Sequence, residues 1–222
     1  MTKDIVLFGI YSILHFIAIF ALTRESVFFL PLKIIPILIL IVYLAKERAK
    51  LQKRGKLVLF GLIFSLFGDS FLALPGNQFF VPGLGSFLIA QLIYSYAFSV
   101  GSKLAPLRAI PFVIFGLLFF YQLVPHLGAL LIPVGVYISA ICLMGWRSSA
   151  RVADSRVYGL GLFGALIFMI SDSIIAYSMF LNPSMDRQVA GLLIMVTYYL
   201  AQLLIYLATK VEELNPTDRK ST

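Results

Sequence analysis

The chain has 222 residues, of which 60% are hydrophobic and 13% charged, with a net charge of +8. Its mean hydropathy of +0.96 lies far beyond what a soluble core of this size uses, which excludes a water-soluble domain and makes this a polytopic membrane protein. The single cysteine, Cys142, excludes an intrachain disulfide and a cysteine-rich metal site. The basic residues sit in short loops without a soluble module, which argues against a nucleic-acid partner.

A spanning helix needs about 20 largely apolar residues, and the sequence divides into eight such runs within one all-α transmembrane domain over residues 1–222. The opening MTKD leads straight into the first, 5–22, with no small-residue cleavage site near its end, so it reads as a retained helix and not as a signal peptide. The second, 27–45, carries Lys33 between Pro31 and Pro36. Asp69 lies in the third, 57–75, within IFSLFGDSFLAL, and Gln91 and Tyr94 lie in the fourth, 79–100. The fifth and sixth, 106–124 and 126–145, are separated only by QLVPHLG, one proline and one glycine of punctuation, so a seven-helix array is the alternative. Tyr137 belongs to the sixth. The seventh, 157–181, carries Asp172 within LIFMISDSIIAY, and the eighth, 188–209, carries Tyr198, Tyr199 and Gln202.

Basic residues orient the array. Fifteen of the 18 fall in the second, fourth and sixth loops and at the two ends, against Arg24 and Arg187 opposite, with Lys33 inside the apolar layer. Both termini are therefore expected in the cytoplasm, with the protein in a bacterial cytoplasmic membrane and its basic face toward anionic headgroups. With that orientation and a rise of about 1.5 Å per residue, Asp69 and Asp172 lie roughly 18 to 23 Å from the cytoplasmic face and Lys33 roughly 9 Å from the outer face. All three share the outer half, which predicts one polar cavity opening there.

Ionisable residues inside a bilayer are expensive and mark function. Both aspartates begin the same D-S-x-x-A pattern, and AQLIYSYA in the fourth run resembles AQLLIYLA in the eighth. Pro31 and Pro36 against Pro133 keep the same offset of four helices. A parallel four-plus-four repeat, with halves 1–103 and 104–222, would explain this. The matches are short and the alphabet is apolar, so they do not separate duplication from chance.

Ser65, Ser70, Gln91, Tyr94, Tyr137, Ser171, Ser173, Tyr198, Tyr199 and Gln202 can line such a cavity, though each can equally bond between helices as structural glue. A structural ion pair of either aspartate with Lys33 is the rival reading of the charged residues. Phe79, Phe80 and Trp146 read as interfacial belt residues, and His15 and His126 as structural. Nothing matches a nucleophile elbow, a P-loop, H-E-x-x-H or a dinucleotide fingerprint.

Taken together, these residues resemble the YhhN-like family of membrane lysoplasmalogenases over nearly the whole chain. The matching elements are Lys33 with Pro36; Gly68-Asp69; Phe79 to Leu84; Tyr94; Ala97-Phe98; Gly135 to Tyr137; Met144 to Arg147; Ser171-Asp172; Tyr198-Tyr199; and Gln202. The family's H-x-x-Y pattern departs here, with Gln91 three residues before Tyr94. Glutamine bonds but shuttles no proton.

The resemblance implies hydrolysis of the vinyl ether of a lysoplasmalogen, a lysophospholipid, to a fatty aldehyde and a glycerophospho-ethanolamine or -choline. It implies Asp69, Asp172 and Lys33 as catalytic residues, and Gln91, Tyr94, Tyr137, Tyr198, Tyr199 and Gln202 as substrate-binding ones. No metal or organic cofactor is called for. Vinyl ethers cleave by protonation at carbon and capture of an oxocarbenium ion by water, a task that two carboxyls can divide between them. Asp172 is the preferred acid and Asp69 the Lys33-paired carboxylate, while Lys33 facing the substrate phosphate stays open. A proton-coupled lipid or small-molecule transporter and an inactive lipid-binding relative are the competing classes.

Overall fold

The computed structural model describes residues 2–23 and 26–214. Arg24, Arg219 and Lys220, which enter the charge bias, lie outside them. Eight α-helices follow one another, and no strand occurs among the described residues: α1 (Thr2–Ala21), α2 (Phe29–Lys46), α3 (Lys53–Ala73), α4 (Phe80–Ser99), α5 (Ile110–Leu127), α6 (Leu131–Ser149), α7 (Ser155–Ala176) and α8 (Arg187–Leu214). Their exposed faces are apolar. Val6, Ile10, Ile13 and Ile17 on α1 and Leu117, Leu118 and Tyr121 on α5 point outward, as a bilayer solvent demands.

Among the described residues seven helical runs are long and apolar enough to cross a membrane, because α5 and α6 with their flanking 3₁₀ turns count as one stretch of 44 residues, Pro106–Ser149. A straight helix of that length would measure about 66 Å, more than twice a hydrocarbon core of about 30 Å. The stretch folds back instead. Gly128 takes a φ of +49, a conformation open to glycine and closed to most other residues. Beyond it Gly135 meets Phe120, Cys142 meets Gly116, and Gly145 meets Phe112, an antiparallel pairing. The bend lies later than the expected break near 125. Pro125 lies inside the last turn of α5 and does not end the helix.

Two of the other ends that differ from expectation share one cause. α3 starts at Lys53, inside the basic loop, and α8 runs five residues past 209. One carboxylate pair explains both. Glu212 bridges Arg54 and Arg151, the latter at 2.7 Å, while Glu213 accepts from the main-chain N–H of Gln52 at 3.1 Å just before α3. These bonds tie the C-terminal turns of α8 to the start of α3 and hold both helices regular beyond their apolar spans.

The closest helix pairs are α3–α4 and α7–α8. Glycines allow this, since small residues let membrane helices approach. Gly61 lies against the Tyr94 ring, Gly68 against the Phe87 ring, and Gly164 against Ile205 and the Ala201 carbonyl. The first two contacts bring Asp69 on α3 alongside α4, and the third brings α7 close to α8.

Candidate active site

Lys33 of α2 and Asp69 of α3 form a buried ion pair. The Lys33 ammonium lies 3.5 Å from Asp69 Oδ1 and donates to the Asp69 main-chain oxygen at 3.2 Å. Tyr198 of α8 donates its hydroxyl to Asp69 Oδ2 at 2.7 Å. The neighbouring Tyr199 points elsewhere and donates to the Lys33 main-chain oxygen at 2.6 Å. Successive helical residues diverge by about 100°, so one tyrosine pair reaches two different partners. Asp69 is 2% exposed, and its charge is met inside the helix bundle, as a buried ion requires.

Asp172 of α7 has a different company. Gln91 Nε2 of α4 and the Tyr137 hydroxyl of α6 both donate to its Oδ2, at 2.8 and 2.7 Å. Both donors are neutral. The other face of the Gln91 amide, Oε1, is buried and has no hydrogen-bond partner.

The remaining polar residues form a third group. The Tyr94 hydroxyl donates to Gln202 Oε1 at 2.8 Å, and Gln202 Nε2 donates to Ser65 Oγ at 2.9 Å. Ser70 and Ser173 bond to carbonyls of their own helices, and Ser171 bonds across to the Ile194 carbonyl. These are the structural uses open to such residues in a membrane.

The two aspartates are held in crossed fashion. Asp69 on α3 takes partners from α2 and α8, whereas Asp172 on α7 takes them from α6 and α4. Each site thus combines the preceding helix of its own half with the last helix of the other half.

One aspartate faces open space. A cavity of about 50 Å³ is walled by Asp172, Tyr137 and Ser173 together with apolar residues from α3 to α7 and from the turn that follows α7, among them Leu84, Phe87, Phe119, Val134, Ile141 and Phe180. Neither Asp69 nor Lys33 belongs to that wall. The Phe87 ring lines the cavity and meets Tyr198 edge-on at 5.7 Å, so it stands between the open chamber and the tyrosine that holds Asp69. The cavity that Asp172 reaches is lined mainly by apolar residues, with that one carboxyl on its wall. The ion pair takes its further hydrogen bond from Tyr198 of α8, away from that wall.

Sequence reasoning passed over Phe87 and Phe180, and it assigned Phe80 to the interfacial belt although that residue lines the cavity. In a chain with 20 phenylalanines, none of the three carries a signal of its own. Among the described residues no group of histidine, cysteine or carboxylate side chains could hold a metal.

Comparison with known proteins adds an independent observation. The sequence profile of the YhhN family matches residues 28–209. Lysoplasmalogenase TMEM86A of Homo sapiens is 38% identical over 164 residues, covering 71% of this chain and 66% of that protein. Its Bos taurus counterpart is 38% identical over 165 residues with the same coverage. Lysoplasmalogenase TMEM86B of Sus scrofa is 32% identical over 177 residues, covering 79% of this chain and 73% of that protein. The chain thus spans 66% of the length of the TMEM86A relatives. No solved structure matches it.

Proposed function

This chain belongs to the YhhN family, and from that premise we propose that it hydrolyses the vinyl ether bond of a lysoplasmalogen within the membrane. The observation that carries the reading is the chamber itself, an apolar cavity with one carboxyl, Asp172, on its wall. An alkenyl chain fits such a lining, and its vinyl ether would meet the one acid available there.

In the proposed reaction Asp172 gives a proton to the second carbon of the alkenyl chain, leaving an oxocarbenium ion between the first carbon and the ether oxygen. Water adds to the first carbon and returns a proton to the Asp172 carboxylate. The hemiacetal then collapses to a fatty aldehyde and the free glycerol hydroxyl. Gln91 and Tyr137 both donate to Oδ2, which leaves Oδ1 to carry the proton and stabilises the carboxylate once it is gone. The unpartnered Gln91 Oε1 is the acceptor we assign to the attacking water. Lys33 and Asp69 act as a positioning pair that fixes Tyr198 and, through it, the Phe87 wall. Tyr94, Tyr199 and Gln202 hold the helices that carry this pair.

Purified protein in detergent should release free aldehyde from lysoplasmalogen and none from a saturated ether analogue. No aldehyde from any lysoplasmalogen headgroup or chain length would overturn the reading and leave the transporter or lipid-binding classes. Gln91→His tests the departure from the family pattern. A ring nitrogen can keep the donor to Asp172 but loses the second amide face, so turnover should fall about tenfold, roughly 1.4 kcal/mol of barrier, with no new ionisation in the pH profile. A rise in turnover with a new ionisation near the histidine range would mean that position 91 serves as a proton relay.

We further propose that the helices cross the bilayer eight times with both chain ends cytoplasmic, in a cytoplasmic membrane of bacterial type, and that the halves 1–103 and 104–222 are a parallel repeat. The antiparallel packing of α5 on α6 and the basic bias support the first point. The crossed partners of the two aspartates support the second, because exchanging α2, α3 and α8 for α6, α7 and α4 maps one site onto the other. In a Cys142→Ala background, single cysteines at Asn77 and Asn182 should label from outside the cell, and one at Lys53 should not. External labelling at Lys53 would reverse the orientation.

A further inference from the structure

The end of the bundle that carries the basic loops holds a second hollow, whose wall shares no residue with the cavity at Asp172. It has a volume of about 430 Å³, open outward, between the segment joining α4 to α5 and the segment joining α6 to α7. Lys103, Arg108 and Tyr158 supply its functional side chains, with Ala105 and the chain from Ala150 to Ala153 completing the wall. Among the described residues, no acidic one belongs to that wall.

The hollow is built rather than incidental. Arg147, 6% exposed, clamps one side by donating to the carbonyls of Leu104 and Lys103 at 2.9 and 3.2 Å and to Ser99 Oγ at 2.7 Å. Trp146 Nε1 donates to the Ala105 carbonyl at 3.0 Å, which fixes Ala105 in a left-handed conformation with φ 45. The guanidinium of Arg108 and, at 3.4 Å, the hydroxyl of Tyr158 converge on the Ser149 carbonyl. Arg151, also 6% exposed, belongs to the wall and gives one nitrogen to Glu212, while its Nε is buried and has no hydrogen-bond partner.

A preset basic hollow without a carboxylate on its wall suits an anion with several acceptor oxygens, and Arg with Lys is the pairing that recognises phosphate. The rim adds a second kind of information. Leu104, Leu107 and Val152 beside it are 65%, 79% and 58% exposed. Apolar side chains next to clustered cations mark the level where headgroups meet acyl chains. We infer that this hollow binds a phosphate group, that of an anionic phospholipid seated with its chains against Leu104 and Leu107. The site is separate from the hydrolytic reading and does not depend on it.

The test uses the full chain in detergent, with native mass spectrometry in equal phosphatidylglycerol and phosphatidylcholine. Wild-type protein should retain phosphatidylglycerol in preference. The double variant Lys103→Gln and Arg108→Gln should lose that preference at least fivefold, while Lys50→Gln with Lys56→Gln, equal in charge removed but outside the hollow, should keep it. Thermal unfolding in inorganic phosphate against chloride at matched ionic strength separates the sources. A melting shift in phosphate that the double variant abolishes would make the ligand a free phosphate and overturn the lipid assignment. Equal loss in both double variants, or no preference in wild type, would overturn the site itself.

Discussion

Asp172→Asn should reduce aldehyde release by roughly 100- to 10,000-fold, the range expected for removing a general acid. The amide keeps the shape of the carboxyl, and its oxygen still accepts from Gln91 and Tyr137, so the melting temperature should stay within a few degrees of wild type. Only proton donation at the cavity wall is lost. Side-by-side aldehyde assays and thermal unfolding in the same detergent decide the matter. Retention of more than about a tenth of wild-type turnover, roughly 1.4 kcal/mol, would remove Asp172 from the chemistry.

Asp69→Asn should fail differently. It leaves the Lys33 ammonium in a bundle position that is 8% exposed without the carboxylate 3.5 Å away, and breaking one side of a buried pair costs about 3–5 kcal/mol. Thermal stability should therefore collapse together with activity. Removing both charges, as Lys33→Met with Asp69→Leu, should recover most of the stability, because well-packed apolar replacements of buried pairs are commonly tolerated. In a positioning role the double variant also recovers a measurable share of turnover, above that of Asp172→Asn. A double variant that is stable yet as inactive as Asp172→Asn would instead make Asp69 a direct participant in the reaction.

The residues that were legible in advance are those that are costly in hydrocarbon. Lys33, Asp69 and Asp172 stand out because each interrupts an apolar run, and the bundle does give each a polar partner. Which aspartate meets open space was not legible. The chamber is built from side chains of the ordinary membrane alphabet, Leu84, Phe87, Phe119 and Phe180 among them, the same residue types that face lipid elsewhere. Helix ends were misjudged where polar tertiary bonds, not hydropathy, set them, as at Glu212 and Glu213 of α8. The bend between α5 and α6 turned on the backbone of Gly128, while the more conspicuous Pro125 was absorbed into the helix.

The crossed wiring of the two aspartates also bears on how the chain can be made. Synthesis runs from the N-terminus, and early segments settle before later ones exist. Lys33 leaves the ribosome 36 residues ahead of Asp69, so when α3 enters the bilayer its carboxylate finds a countercharge on the adjacent helix. Asp172 arrives when Gln91 and Tyr137 are already in place, 81 and 35 residues upstream. Neither acid has to wait in lipid for a partner not yet synthesised. Tyr198, which reaches Asp69 across 129 residues, is the late arrival, and its hydroxyl tolerates the wait far better than a charge would. The order of partners along the chain is thus an order of insertion that keeps both acids accompanied.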